Sequence, residues 1–185
     1  MGAPQSASSQ RRAAVAALLH DSSAGPQVLL MKRVTRDSDP WSGHVSLPGG
    51  GFEGSDGTLL ATAIRETREE LGIDLERTSL VGALPILSPM ASGPFGIEVS
   101  PFVFATTTEV EPLCGPEAVA AFWLPIERAA TGELDSSYTY PGTDRTFPSW
   151  NYGGYTIWGL TLRILTELIA TADVTARTLH DATQS

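Results

Sequence analysis

Apolar and β-favouring residues are grouped along the chain in short runs of the length that β-strands need. Six such runs cover residues 13–19, 27–33, 45–47, 80–87, 98–105 and 119–124. Turn-forming residues separate the runs. The polar segment 34–43 and the Gly/Pro/Asp/Tyr-rich segment 134–150 are predicted to be loops. The pattern therefore predicts a sheet built from several short strands.

Two stretches have the spacing of helices instead. Residues 58–71 form the first, and Gly72 follows them where a glycine commonly ends a helix. Residues 157–170 form the second. Apolar residues recur in it three or four positions apart, at Trp158, Leu162, Leu165 and Ile169. Strands around two helices, without a strict βαβ alternation, indicate an α+β fold or a three-layer α/β/α sandwich.

Length and composition limit the possible architectures. The chain has 185 residues, of which 42% are hydrophobic, so we expect one domain with a buried core. We place that domain at residues 11–175, between tails at 1–10 and 176–185. The single Cys114 excludes an internal disulfide and a zinc site of several cysteines. No apolar run is long enough to span a membrane and no secretory signal is visible, which predicts a cytoplasmic location.

The charge balance narrows the range of partners. The formal net charge is −9 and the isoelectric point is about 4.7, so a broad nucleic-acid surface of clustered cations is excluded. An anionic small molecule is not excluded, provided that a bound cation supplies positive charge. The apolar strands and the Trp-bearing helix also leave a homodimer open.

Three carboxylates share one face of the first predicted helix. Glu66 lies three positions before Glu69 and four before Glu70, and Arg65 is placed to brace one of them. Like charges so close together repel one another, and hard oxygen donors suit Mg²⁺ or Mn²⁺. The alternative is a solvated acidic helix face that Arg65 and Arg68 stabilise.

The residues before this helix favour the metal site. A predicted strand ends at Leu47 and Pro48, and the glycines Gly49, Gly50 and Gly51 follow at once. Glycines permit positive φ angles and close backbone approach, which a loop facing a phosphate or a metal needs.

This segment resembles the box of the Nudix hydrolase family. That box runs Gly, five residues, Glu, seven residues, Arg-Glu, an apolar residue, any residue, Glu-Glu, any residue, Gly and an apolar residue. Six positions match its second half, namely Arg65, Glu66, Glu69, Glu70, Gly72 and Ile73, while Thr67 occupies the apolar position. The early Glu falls on Gly57 or Asp56, depending on where the count starts. One extra loop residue would leave Asp56 or Glu53 in the acidic role.

Further segments are similar to the coenzyme A pyrophosphatase branch of that family. They are residues 61–66, residues 157–161 (Ile-Trp-Gly-Leu-Thr) and residues 117–125, which start at Glu117. In the motif that precedes the glycines, Gly43 and Val45 are retained, but Trp41 stands where the branch carries His.

The resemblance implies an α/β/α sandwich with a mixed sheet between helices, and an enzyme that cleaves a nucleoside diphosphate conjugate, coenzyme A-like or related. Nucleotide-sugar or nucleoside triphosphate cleavage is the alternative activity, and a non-catalytic nucleotide-binding module is the alternative class. Glu66, Glu69 and Glu70 would hold Mg²⁺ or Mn²⁺, which activates a water molecule. Either Glu69 or Glu117 would accept the proton of that water.

Substrate contacts are the least constrained part of this prediction. Arg33 and the glycines Gly49, Gly50 and Gly51 are candidates for phosphate contacts. Trp41, or Tyr152 or Tyr155, would stack on a base, with loop packing as the alternative. Trp123 and Trp158 are expected in the core.

Overall fold

The computed structural model describes residues 11–35, 43–76, 79–88, 96–108 and 110–183, with side-chain burial described as far as residue 173. Trp41, a candidate for base stacking, and the predicted tail 1–10 lie outside the described residues.

The described residues form ten strands and three α-helices. The strands are β1 (Arg11–Ser22), β2 (Gly25–Arg33), β3 (Val45–Ser46), β4 (Gly49–Gly51), β5 (Leu80–Ala83), β6 (Ile97–Thr106), β7 (Ala118–Pro125), β8 (Asp135–Thr139), β9 (Thr146–Tyr152) and β10 (Tyr155–Trp158). The helices are α1 (Leu59–Leu71), α2 (Ile126–Ala130) and α3 (Gly159–Thr183). A short 3₁₀ helix covers Gly54–Asp56.

A mixed seven-stranded sheet is the centre of the fold. Its main order is β3-β2-β1-β6-β5, with β4 paired to β1 and β7 paired to β2. β1 and β6 run parallel from the pair Arg11 and Ile97 to the pair His20 and Thr106, and the other pairs are antiparallel. β1 and β2 therefore form the middle of the sheet.

Helices cover both faces of this sheet. Ala63 and Leu71 of α1 pack with Leu29 and Met31 of β2 on one face. On the other face, α3 packs against the alternate β2 residues, Val28 and Leu30. Because β2 is buried on both sides, its apolar residues form a continuous run without polar alternation. The α/β/α sandwich with a mixed sheet between helices is confirmed.

Local capping fixes both ends of α1. The Thr58 hydroxyl accepts a hydrogen bond from the Ala61 N–H at 3.1 Å, which satisfies one of the free donors of the first turn. At the other end Gly72 has a φ of 67°, and its N–H donates to the Arg68 carbonyl at 2.9 Å. The helix lies where the sequence predicts it.

The prediction of a loop over 134–150 is wrong. β8 and β9 form a hairpin there, and β10 completes a separate three-stranded sheet. Cross-strand pairs such as Tyr138 with Phe147 stabilise this hairpin, and turn residues dominate only its tip, between Thr139 and Thr146. The glycine, proline and aspartate residues of the tip therefore led to a loop prediction that is wrong for the strands on either side.

The last helix begins later than predicted and extends further. Ile157 and Trp158 belong to β10, and α3 begins at Gly159, whose φ of 62° accompanies the change from strand to helix. The spacing of Trp158 relative to Leu162 is therefore not a helical contact. Among the described residues, no helix has the length and apolar character needed to cross a membrane.

Candidate active site

The three carboxylates of α1 differ in their exposure. The Glu70 side chain is only 3% exposed, that of Glu66 is 16% exposed, and that of Glu69 is 57% exposed. Glu70 is therefore buried and Glu66 partly buried, and a negative charge at either position needs compensation.

The glycine strand β4 lies directly against the two buried carboxylates. The Gly49 N–H donates to Glu70 Oε2 at 2.8 Å. A Cβ atom at Gly50 would lie 2.5 Å from the carboxyl carbon of Glu66. A Cβ atom at Gly49, whose φ is +151°, would lie 2.6 Å from the Cα of Val15. The first two glycines are therefore required by close approach, whereas a Cβ at Gly51 meets nothing within 4 Å.

Arg65 connects the carboxylates of α1 to the loop before it. Its Nε donates to Asp56 Oδ1 at 2.7 Å, and its Nη2 donates to Asp56 Oδ2 at 3.1 Å. Its Nη2 also lies 3.0 Å from Glu66 Oε1, and its Nη1 lies 3.0 Å from Glu69 Oε2. The guanidinium group thus positions two of the three carboxylates.

Asp56 is an acidic partner of Arg65. Besides the Arg65 contacts, its carboxylate accepts hydrogen bonds from the Thr62 hydroxyl at 2.8 Å and from the Glu53 N–H at 2.9 Å. The hydrogen bond from Arg65 is the main cause that holds the Asp56 pKa well below its usual range. Of the two acids considered from the sequence, Asp56 has a side chain in contact with Arg65, and Glu53 supports Asp56 through its backbone.

Burial raises the pKa of both inner carboxylates. Desolvation raises the pKa of Glu70 to about 8, although the Gly49 N–H and the Arg33 charge oppose this shift. Desolvation also raises the pKa of Glu66, against the opposing effect of Arg65. The negative charge of Glu117 raises the pKa of both groups further.

Arg33 and Glu117 reach the site from outside α1. Arg33 Nη1 lies 3.6 Å from Glu70 Oε1 at the end of β2. The neighbouring Val34 N–H donates to the Glu117 carbonyl at 2.9 Å. The structure therefore places the predicted residue Arg33 beside Glu70, and it places the backbone of Glu117 next to the end of the strand that carries Arg33.

The loop before Glu117 is fastened to the end of α1. The Leu113 N–H donates to the Leu71 carbonyl at 2.8 Å, and the Gly115 N–H donates to the Glu70 carbonyl at 2.7 Å. These bonds satisfy carbonyl groups that a helix end otherwise leaves free. Because Glu117 follows Gly115 by two residues, these bonds also limit how far Glu117 can lie from the end of α1.

The donor chemistry of the site fits a hard divalent cation. Glu66, Glu69 and Glu70 supply carboxylate oxygens, and the mutual repulsion of Glu66, Glu70 and Glu117 is relieved by positive charge. Within the part of the chain that the structure describes, no three acidic, His or Cys side chains already converge on one metal position. Glu69 points to Arg65 instead, and its exposure leaves it free to turn.

Several predicted stacking residues lie elsewhere. Tyr155 stacks on Phe122, with 4.4 Å between ring centroids and 5° between ring planes, and Tyr152 also packs beside Phe122. Both tyrosines contact the core on the α3 side, which agrees with the packing alternative. Trp123 packs against the core on the α1 side, as expected for a core residue.

Trp158 is not a plain core residue. It is partly buried and has four aromatic neighbours, which are His44, Tyr138, Tyr140 and Phe147. The sequence pattern does not identify Tyr138, Tyr140 or Phe147 as site residues, because it predicts a loop over 134–150. The sequence signal for the hairpin is the placement of aromatic residues on both sides of the turn residues 141–145.

The chain is similar in sequence to a known domain family and to several of its relatives. The family model described as the NUDIX domain matches residues 10–142. The uncharacterized Nudix hydrolase NudL of Enterobacter sp. (strain 638) is 33% identical over 151 residues, which cover 77% of this chain and 73% of NudL. An uncharacterized protein of Schizosaccharomyces pombe is 38% identical over 128 residues, which cover 66% of this chain. That match covers only 34% of the yeast protein.

A solved structure shows the same fold. The crystal structure of a MutT/nudix family protein from Enterococcus faecalis matches with a TM-score of 0.63 at 15% identity. The match covers 94% of this chain and 66% of that one.

Proposed function

Because the chain belongs to the Nudix hydrolase family, whose members act on diphosphate bonds, we propose that it hydrolyses a nucleoside diphosphate conjugate with the help of Mg²⁺ or Mn²⁺. The observation that carries this proposal is the burial of Glu66 and Glu70 beside β4, with Glu117 nearby. Such a concentration of carboxylates is unfavourable without a cation, and a cation there attracts a diphosphate.

Glu66, Glu69 and Glu70 are the proposed ligands of the cation. A cation held there would neutralise substrate charge and would lower the pKa of the water molecule used in hydrolysis. Arg65 holds Glu66 in place through Nη2, and Asp56 in turn holds Arg65 by two hydrogen bonds. To bind the cation, Glu69 would give up its ion pair with Arg65, and the cost would be small because exposed ion pairs are weak.

The proton of the attacking water goes to Glu69 or to Glu117. Glu69 is exposed on α1, and Glu117 is held near the buried carboxylates by the anchored loop before it. Arg33 is the proposed phosphate contact, since it lies beside Glu70 at the end of β2. The backbone of Gly49–Gly51 lines the same position.

Coenzyme A derivatives are the first substrates to test. Residues 61–66, 117–125 and 157–161 support this choice by their similarity to the coenzyme A pyrophosphatase branch, and Trp41 departs from it. Nucleotide sugars and nucleoside triphosphates are the second choice. A nucleotide-binding module without activity is the competing class, and the retained carboxylates Glu66, Glu69 and Glu70 argue against it.

A substrate panel assayed by product mass tests this proposal. We expect Mg²⁺-dependent cleavage of at least one nucleoside diphosphate conjugate, with a large loss in Glu69→Gln. Glu127→Gln, an exposed change on α2, is the matched control and should behave as the wild type. If wild type and Glu69→Gln are both silent across the panel with Mg²⁺ and Mn²⁺, the proposed activity is wrong.

A further inference from the structure

We propose that a cluster of aromatic side chains beside the active site stacks on the base of the nucleotide substrate. The cluster, called here the aromatic platform, consists of Tyr138, Tyr140, Phe147 and Trp158, with His44 at its edge. This inference rests on the proposed function and assigns the part of the molecule that binds the organic half of the conjugate.

Trp158 is the centre of the platform. Its ring centroid lies 4.5 Å from that of Tyr138, 5.5 Å from that of Phe147 and 5.9 Å from that of Tyr140. All three neighbours come from the β8–β9 hairpin or its turn. Rings at such distances support one another and form a preorganised surface.

Core packing does not account for the outer rings. Tyr140 is 43% exposed and Phe147 is 37% exposed, so both rings lie outside the buried core. The same small sheet already contributes Trp150 and Ile157 to the buried core. The rings around Trp158 are therefore available to a ligand.

His44 connects the platform to the strand that carries Arg33. The His44 ring lies edge-on to Trp158 at 5.1 Å. The His44 carbonyl accepts a hydrogen bond from the Arg33 N–H at 3.0 Å, and the Arg33 guanidinium lies 3.6 Å from Glu70. The platform therefore packs on the residue whose backbone is bonded to that of Arg33, the proposed phosphate contact.

A planar heteroaromatic base is the occupant that this arrangement favours. A substrate whose diphosphate is held at Glu70 and Arg33 must place its base within the length of one nucleotide. Aromatic side chains hold bases by stacking, and each stacked base contributes a measurable part of the affinity. Because stacking uses ring faces and not hydrogen-bond patterns, the platform predicts a preference for nucleotides over base-free diphosphates.

Binding of nucleoside diphosphates and of inorganic pyrophosphate, with Ca²⁺ replacing Mg²⁺, tests this inference. The variant Tyr140→Ala/Phe147→Ala removes the two exposed rings and leaves Trp158 in place. We expect it to weaken binding of the best nucleoside diphosphate by at least about tenfold. Pyrophosphate binding should be unchanged, because it makes no use of the rings.

Two matched variants control for surface and stability effects. Tyr140→Phe/Phe147→Tyr retains both rings and should bind as the wild type. Val81→Ala removes an exposed apolar side chain from β5, on the far edge of the sheet, and should also have no effect. If the double alanine variant does not fold, the single variants Tyr140→Ala and Phe147→Ala replace it.

Equal binding of nucleoside diphosphate by the wild type and the double alanine variant would overturn the platform and leave the proposed function intact. A double alanine variant that loses pyrophosphate binding to the same extent as nucleoside diphosphate binding would also overturn the platform, because the loss would not depend on the base. A wild type that sediments as a dimer and a double variant that sediments as a monomer would also overturn it, since the rings would then be a subunit contact. If the wild type binds neither ligand and cleaves no conjugate, the proposed function fails and the platform fails with it.

Discussion

Gly50 and Gly51 are neighbours in the chain but have different surroundings. A Cβ atom at Gly50 would overlap the carboxyl group of Glu66, whereas a Cβ atom at Gly51 would meet open space. Neither residue has a positive φ angle, so backbone strain does not separate them. A comparison of the same substitution at the two positions therefore tests whether Glu66 lies against Gly50.

The change Gly50→Ala should displace Glu66 and lower hydrolytic activity by at least about tenfold. Stability should change by less than about 1 kcal/mol, because the group that must move is the end of a flexible side chain. Steady-state kinetics and denaturant unfolding of the purified variant measure the two effects. Gly51→Ala is the control and should retain activity; equal activity losses in both variants would show that Glu66 is not the affected group.

Glu70 makes the metal-free protein sensitive to pH. Its pKa is raised to about 8 in the folded state, so folding retains a proton that the unfolded chain releases near pH 4.5. The contribution of Glu70 to the free energy of unfolding is therefore fully present below pH 4.5 and is lost as the pH rises toward 8. Glu70→Gln removes this dependence.

In EDTA at pH 8, Glu70→Gln should accordingly be more stable than the wild type, by roughly 1–3 kcal/mol. At pH 4.5 the two proteins should unfold at similar denaturant concentrations, and this pH serves as the internal control. Mg²⁺ should stabilise the wild type more than the variant, because a ligand stabilises the state that binds it. A variant that is less stable than the wild type at pH 8 would show that burial does not destabilise the ionised Glu70 carboxylate.

At the scale of elements, α1 was predictable because all its signals are local. Thr58 and Gly72 mark its ends, and Glu66, Glu69 and Glu70 carry their spacing in the sequence. The β8–β9 hairpin was not predictable in the same way, because its strands depend on cross-strand pairs such as Tyr138 with Phe147. Such pairs are not visible in a single segment.

The junction of α1 with the loop at Gly115 is a second element that only the structure shows. A Cβ atom at Gly115 would overlap the backbone carbonyl oxygen of Glu69. Gly115→Ala should therefore shift the loop, destabilise the fold by about 2 kcal/mol and reduce activity through Glu117. Thermal unfolding and kinetics of the variant check both effects.

Gly82→Ala is the matched control for this prediction, since a Cβ atom at that position in β5 meets nothing within 4 Å. It should leave activity and unfolding temperature close to those of the wild type. Wild-type behaviour of Gly115→Ala would show that the loop tolerates displacement and does not position Glu117.

At the scale of the whole molecule, the central strands were predictable and the assembly of the site was only partly so. β1 and β2 form continuous apolar runs because helices cover both faces of the sheet. Arg33 and Glu117 were identified as candidates from sequence, but their approach to Glu70 depends on pairing between distant strands. The aromatic platform depends on the hairpin and was missed with it.

The fold brings several of the chain's acidic residues together. Part of the acidic excess comes from residues on or beside α1, namely Glu66, Glu69, Glu70, Asp56 and Glu117. Such a distribution disfavours a nucleic-acid surface. It suits a nucleotide whose diphosphate is neutralised by a bound cation.

The central claim is that the carboxylates of α1 use a divalent cation to hydrolyse a diphosphate bond. Its most direct test is hydrolysis in ¹⁸O-labelled water as a function of Mg²⁺, with products identified by mass, for wild type, Glu66→Gln and Glu127→Gln. We predict that the wild type releases two phosphate-bearing products, one of which carries a single ¹⁸O, and that EDTA abolishes the reaction. Glu66→Gln should lose activity by about a hundredfold and Glu127→Gln should not. Cleavage that survives EDTA, or that is equal in Glu66→Gln and the wild type, would contradict the claim.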